Sequence, residues 1–178
     1  MARGQGFLNV AHRARCVKDR ILRLAREVAR SPKEREHAVV VFEDGSEAWV
    51  RGSWGAAAIP LYSPAHGRAV AVIHTHPVPR ETPSLADLRT LLTMSRMVVP
   101  AYLATVYRVD GEALVTLYTA TRALSPPEAE AVLLSALEYE RLQLETGFDR
   151  LASEKQAREQ HELLKFVGIT VERYRLRL

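Results

Sequence analysis

The chain has 178 residues, of which 47% are hydrophobic and 26% are charged, so it is long enough and apolar enough to bury its own core. This composition excludes a largely disordered chain, and no apolar run approaches the roughly 20 residues that span a bilayer. The net charge is +4, with a basic excess at both ends: residues 1–30 hold eight Arg or Lys against two acidic residues. Cys16 is the only cysteine, which excludes an internal disulfide and predicts a reduced, cytoplasmic compartment.

Hydrophobic periodicity predicts an α+β fold for residues 1–124, with a mixed β-sheet flanked by helices. A first helix is expected over residues 10–30, where apolar residues recur at spacings of three and four and Cys16 falls on the apolar side. A second helix is expected over 84–97. Apolar and β-branched runs predict strands at 37–42, 48–50, 69–76, 102–109 and 112–119. Asp44-Gly45 and Asp110-Gly111 are favoured turn pairs and predict two hairpins, whereas 52–68 and the proline-rich 77–83 are expected to be irregular.

The character of the sequence changes after residue 124. Residues 127–146 and 149–166 predict two helices joined at Gly147, a helical hairpin. The tail from residue 169 is ambiguous, because its apolar pattern fits either a strand with a phase slip or a frayed helix. We therefore predict an α+β domain over residues 1–124, which includes the N-terminal helix, and a helical extension of unknown function over residues 125–178.

The most informative stretch is His74-Thr-His76 at the predicted end of a strand, followed by Ser84 and Asp87 at the start of the next helix. Alternate side chains of a strand point to the same side, so both imidazoles face one way, and Asp87 can bring a carboxylate oxygen to the same point. Two imidazoles and one carboxylate suit Zn²⁺, and three protein ligands leave the fourth position open, as in catalytic zinc sites. Ser84 and Asp87 also match a helix-capping box, which is compatible with the metal role.

A catalytic zinc site benefits from a base that does not ligate the metal, and Glu36 is the predicted base. Glu36 precedes the first strand, and it faces the histidines if that strand lies beside the histidine strand. Glu34, Glu43 and Glu47 are competitors, but Glu43 and Glu47 flank the turn at the far end of the hairpin. Ser84 is predicted to donate a hydrogen bond to the developing oxyanion.

The order and spacing of these residues resemble the JAMM motif of JAB/MPN-domain metallopeptidases. The matching residues are His74-Thr-His76-Pro, Ser84 and Asp87. Glu36 fits the upstream glutamate of that family, and the valine run at 39–41 looks like its RadC-type branch. The resemblance covers residues 34–120 and implies a JAB/MPN fold, which is related to that of cytidine deaminases. It also implies one zinc ion per chain bound by His74, His76 and Asp87, with Glu36 as general base and Ser84 as oxyanion stabiliser.

The same resemblance implies a zinc metallopeptidase or isopeptidase whose substrate is the amide bond after the C-terminal tail of a ubiquitin-like modifier, or a peptide. Two alternatives stay open. The chain could be a RadC-like protein that binds nucleic acid through its basic first helix, or a non-catalytic MPN scaffold subunit. A homodimer is compatible with the family, and no membrane partner is expected.

Overall fold

The structure, a computed structural model, describes residues 4–32, 34–53, 57–76, 82–146 and 150–178. Within these ranges the chain forms four helices and seven strands. In chain order they are α1 (Gly4–Val28), β1 (His37–Phe42), β2 (Glu47–Arg51), β3 (Tyr62–Ser63), β4 (Gly67–Thr75), α2 (Leu85–Met97), β5 (Ala101–Val109), β6 (Glu112–Ala120), α3 (Pro126–Glu145), α4 (Arg150–Phe166) and β7 (Ile169–Arg177). The predicted α+β class, with a mixed sheet and flanking helices, is confirmed.

The sheet places the end of β4 at its centre. The strand order is β2-β1-β4-β5-β6-β7, with the short β3 paired to β4. β4 and β5 are parallel and are connected through α2, whereas the other neighbours are antiparallel. The register puts Ala38 of β1 on one side of His74 and Thr105 of β5 on the other. The residues that follow His74 therefore leave the sheet between β1 and β5.

Helices cover both faces of the sheet. Val72 of β4 belongs to the core beneath α2, α3 and α4, whereas its neighbour Ile73 belongs to the core beneath α1. This alternation follows from the pleat of the strand, and it turns His74 toward the side of α2. None of the described helices combines the length and the apolar character that crossing a bilayer requires.

Several predicted boundaries shift in the structure. α1 begins at Gly4, before the predicted start, and the predicted loop at 52–68 contains β3 and the first residues of β4. Cys16 is exposed, so its assignment to the apolar side of the packed helix is wrong. Val17 and Ile21 pack against the core on this face of the sheet, whereas the side chain of Cys16 stays exposed. Residues 77–81 of the proline-rich segment and the joint at Gly147 lie outside the described residues.

The ambiguous tail is a strand, β7, which pairs with β6 in one continuous antiparallel register. Its apolar residues change face along the strand. Ile169 packs into the core beneath the C-terminal helices, whereas Tyr174 and Leu176 pack toward α1. The apparent phase slip therefore reflects a change in which face of the strand is covered, and it needs no bulge.

Residues after 124 share the core of the residues before it. Val132 of α3, Leu164 of α4 and Ile169 of β7 lie in the same hydrophobic cluster as Val72 of β4. The predicted boundary at residue 124 therefore does not coincide with a break in the core. The C-terminal segment contributes a strand to the sheet as well as the predicted pair of helices.

Candidate metal centre

His74 and His76 stand at the end of β4 and project to the same side. Their ring centroids are 4.7 Å apart. Both side chains are buried, with 3% and 9% of their surface exposed. The next residue but one in a strand returns to the same face, so the predicted convergence of the two imidazoles follows from the strand itself.

Asp87 reaches the histidines because the first turn of α2 holds it in a capping box. The Ser84 N–H donates to Oδ2 of Asp87 at 2.8 Å, and the Asp87 N–H donates to the Ser84 hydroxyl oxygen at 3.1 Å. In this position Oδ1 of Asp87 lies 3.1 Å from Nε2 of His74, and Oδ2 lies 3.3 Å from Nε2 of His76. The capping pattern and the metal-ligand pattern seen in the sequence are therefore one arrangement.

The cluster fits a divalent metal ion. One ligand atom from each of His74, His76 and Asp87 lies within 4.8 Å of the others. Two atoms bound to tetrahedral zinc at 2.0–2.1 Å stand about 3.3–3.4 Å apart, close to the nitrogen–oxygen distances seen here. Nε2 of His74 is buried and makes no hydrogen bond of good geometry within the described ranges. A buried nitrogen that faces a carboxylate without such a bond is what an ion-free ligand set leaves behind.

The charges of the cluster depend on one another. Burial disfavours the charged form of His74, but the Asp87 carboxylate and, more weakly, Glu36 outweigh burial and raise the pKa of His74 above its ordinary value. Burial also opposes charge on Asp87, yet His74 and His76 hold the pKa of this carboxyl well below its ordinary value. The carboxylate is therefore ionised and available as a ligand.

Glu36 occupies the position predicted for it, immediately before β1. The β1–β4 register continues outward from Ala38 and His74, which brings Glu36 beside the end of β4 and onto the face of the histidines. Its backbone is fixed by hydrogen bonds with Ser53 at 3.1 Å and Gly52 at 2.9 Å, and its side chain is buried. The cluster of candidate ligand atoms among the described residues does not include Glu36. This agrees with the predicted role of Glu36 as a base that does not bind the metal.

The competing glutamates are placed elsewhere. Glu34 is exposed. Glu43 accepts a hydrogen bond from the backbone of Arg68, and Glu47 forms an ion pair with Arg20 at 2.6 Å. Both lie at the turn end of the β1–β2 hairpin, away from His74. Only Glu36, among these four, is brought to the metal cluster.

Two contacts that the sequence analysis missed hold the elements of the site together. The Thr75 hydroxyl, between the two histidines, accepts the backbone N–H of His37 at 2.9 Å and ties β4 to the start of β1. Glu140 of α3 accepts the backbone N–H of Leu85 at 3.0 Å, at the first turn of α2. The contact of Thr75 could have been suspected from its position between the two histidines. Nothing in the sequence around Glu140 marks its contact with Leu85.

A chain of polar side chains beneath the site was also missed. The hydroxyl of buried Tyr118 lies 3.4 Å from Nε2 of His161, and Nδ1 of His161 lies 3.1 Å from a guanidinium nitrogen of Arg173. Arginine can only donate hydrogen bonds, so Nδ1 of His161 is the acceptor in the contact with Arg173. Burial, followed by the negative charge of Asp87, raises the pKa of Tyr118 well above its ordinary value. These residues come from β6, α4 and β7, so no short motif marks them.

A cavity of about 490 Å³ opens beside His76, on the face of the sheet that carries the metal cluster. This volume falls within the range of small-molecule and substrate sites. The side chains that line it come from β5, β6 and β7, and include Thr105, Tyr107, Leu114, Thr116, Arg173 and Arg175. His76, one of the three candidate ligands, thus borders a space large enough for a peptide segment.

Comparisons with known proteins do not identify a family. No protein-family model matches the sequence, and no curated protein is significantly similar to it. The JAB/MPN resemblance therefore stays a prediction, carried by the spacing of Glu36, His74, His76, Ser84 and Asp87.

Proposed function

We propose that this protein is a zinc-dependent hydrolase of amide bonds. The observation that carries the proposal is the buried cluster of His74, His76 and Asp87, in which each histidine Nε2 lies 3.1–3.3 Å from an Asp87 carboxylate oxygen. Glu36 lies beside the cluster and is not one of its candidate ligands. Among the described residues the set has three protein ligands, and three ligands with an open fourth position suit catalysis better than a structural role. The MPN scaffold alternative has less support, because a scaffold has no need of such a set.

Bound zinc would supply Lewis-acid polarisation of the scissile carbonyl and lower the pKa of water to about 7. A Glu36 carboxylate oxygen would accept the proton of the attacking water and pass it to the leaving amine, a role worth roughly 10²–10⁴-fold. The Ser84 hydroxyl oxygen already accepts the Asp87 N–H, so its own proton remains available to the oxyanion of the tetrahedral intermediate. The chain therefore holds a proton acceptor and an oxyanion donor next to the proposed ligands.

The substrate that we propose is a peptide or isopeptide bond after the extended C-terminal tail of a ubiquitin-like modifier. This substrate class rests on the JAMM-like spacing. An extended tail can add to the edge of a sheet through main-chain hydrogen bonds. β2 is the edge strand of the described sheet nearest Glu36, since Gly52 and Ser53, which follow it, form backbone hydrogen bonds with Glu36.

The first test is zinc content. Elemental analysis of protein purified without chelator should give one zinc per wild-type chain, and Asp87→Ala should lose it. Asp87→Asn is the matched variant, because an amide oxygen keeps the cap on the Ser84 N–H but is a poorer ligand than a carboxylate. Absence of zinc from the wild type after metal is supplied would leave Ser84 and Asp87 as a helix cap only and would overturn the proposal.

Nucleic-acid binding through α1 is the less supported alternative. Lys18 pairs with Glu172 at 2.5 Å, Arg20 pairs with Glu47, and Arg23 pairs with Glu27 at 2.6 Å. These basic side chains are engaged within the molecule and are less available to phosphates. Salt-sensitive DNA binding that disappears when Arg20, Arg23 and Arg26 are neutralised would favour this alternative.

A further inference from the structure

The cavity beside His76 contains a positive charge that the proposed chemistry does not use. Arg173 stands in a row of side chains that crosses four neighbouring strands on one face. His74 lies beside Thr105, Thr105 beside Thr116, and Thr116 beside Arg173. Three strand spacings separate the Cα atoms of His74 and Arg173, about 14–15 Å. A single substrate segment can therefore touch the metal cluster and the guanidinium group together.

Arg173 also differs from two of the basic residues near it, Arg175 and Lys18. Within the described ranges it forms no ion pair with a carboxylate, and its contact is the ring nitrogen of His161 at 3.1 Å. By contrast, Arg175 lies 3.6 Å from Glu112, and Lys18 is paired with Glu172. This contact orients the guanidinium group and brings no carboxylate against it. An oriented charge at the wall of a cavity is suited to a ligand of opposite charge.

We propose that this cavity binds a carboxylate group of the substrate, which Arg173 holds while the adjoining amide bond lies at the metal centre. The inference rests on the proposed function and adds a substrate class to it: peptides or conjugates with an acidic group close to the scissile bond. A planar guanidinium group matches a carboxylate through two parallel hydrogen bonds. Tyr107 and Leu114 supply apolar wall on the same face, which suits the aliphatic part of such a group.

The test uses the zinc-loaded protein and probes that need no turnover. Hydroxamates of succinic, glutaric and adipic acid bind zinc at one end and carry a free carboxylate at the other, at increasing distance. Each is paired with the corresponding terminal amide, and affinities are measured by calorimetry. For at least one chain length we expect the carboxylate to bind roughly tenfold or more tightly than its amide, because charge-assisted hydrogen bonds are the stronger ones.

Two variants assign the preference to Arg173. Arg173→Gln should abolish the preference and leave the affinity for the amide probes unchanged. Arg177→Gln removes the same charge from the same face of β7, but outside the cavity, and should retain the preference. Thermal unfolding of both variants checks that they are folded.

The outcomes separate this inference from the proposed function. Equal affinity for carboxylate and amide probes, absence of any probe binding, or a preference that survives Arg173→Gln overturns the carboxylate site. In those cases a measured content of one zinc per chain would still support the proposed metal centre. Absence of zinc from the wild type overturns the proposed function and this inference with it. Where the carboxylate preference is found and depends on Arg173, two further probes identify the carboxylate that the cavity accepts. One carries a glutamate side chain, and the other carries a free C-terminal carboxylate.

Discussion

Ser84 is predicted to have two roles, and the substitution Ser84→Ala separates them. In the structure the Ser84 hydroxyl accepts the Asp87 N–H at 3.1 Å, while the Ser84 backbone N–H donates to the Asp87 carboxylate at 2.8 Å. Alanine removes only the first of these bonds. Asp87 therefore stays in place, and zinc content should remain one per chain.

The two roles differ in magnitude. Loss of an N-cap side chain costs about 1 kcal/mol, which lowers the melting temperature of a chain of this size by about 2–4 °C. A protein with ordinary stability of about 5–15 kcal/mol stays folded after such a loss. Loss of an oxyanion donor instead lowers kcat by about 10²–10³. A large fall in turnover with a small shift in melting temperature cannot come from unfolding.

The assay is hydrolysis of the best substrate from a panel of ubiquitin-like fusions by zinc-loaded protein, with thermal unfolding and zinc content measured on the same samples. Ser84→Thr keeps both the cap and the hydroxyl and should retain turnover. Ser125→Ala is the control for loss of an N-cap serine away from the site, because the Ser125 backbone N–H and hydroxyl both donate to the Glu128 carboxylate at the start of α3. Full turnover by Ser84→Ala would refute the oxyanion role and leave Ser84 as a cap.

Other predictions concern the base, the ligands and acid stability. Glu36→Gln should fold and bind zinc but lose at least about 10²-fold in turnover in the same assay, and retained turnover would remove Glu36 as the base. His76→Ala should lower zinc content well below one per chain by elemental analysis, whereas unchanged content would refute its role as a ligand. The Arg122 ion pair and hydrogen bonds from Ser125 lower the pKa of Glu128 from 4.5 to about 2. This stabilisation is therefore present above pH 4.5 and is lost as the pH falls toward 2. In urea titrations across that range the free energy of unfolding of Glu128→Gln should fall less than that of the wild type, and parallel curves would contradict the assignment.

The metal cluster could be predicted from the sequence because its geometry is local. His74 and His76 share a face through the period of the strand, and Asp87 is fixed by the capping pattern at the start of α2. Glu36 needed one further assumption, that β1 lies beside β4. The structure satisfies that assumption.

The rest of the site could not be predicted, because it depends on contacts between distant segments. Tyr118, His161 and Arg173 come from three elements that meet only when α4 packs on the sheet and β7 completes it. The tail from residue 169 could be read as a strand or as a frayed helix for the same reason. Its pattern of apolar residues makes sense only once the helices that cover each face are known.

The arginines of β7 also affect whether two copies of this protein can pair through this strand. β7 is the last strand of the described sheet, and four of its nine residues are charged: Glu172, Arg173, Arg175 and Arg177. An edge strand offers unpaired backbone groups to any chain that can pair with it, and charged side chains oppose such pairing. Two β7 strands placed edge to edge, antiparallel about Arg175, would bring arginines of both copies opposite one another. In this register the charged side chains of β7 oppose extension of the described sheet by a second copy through this edge.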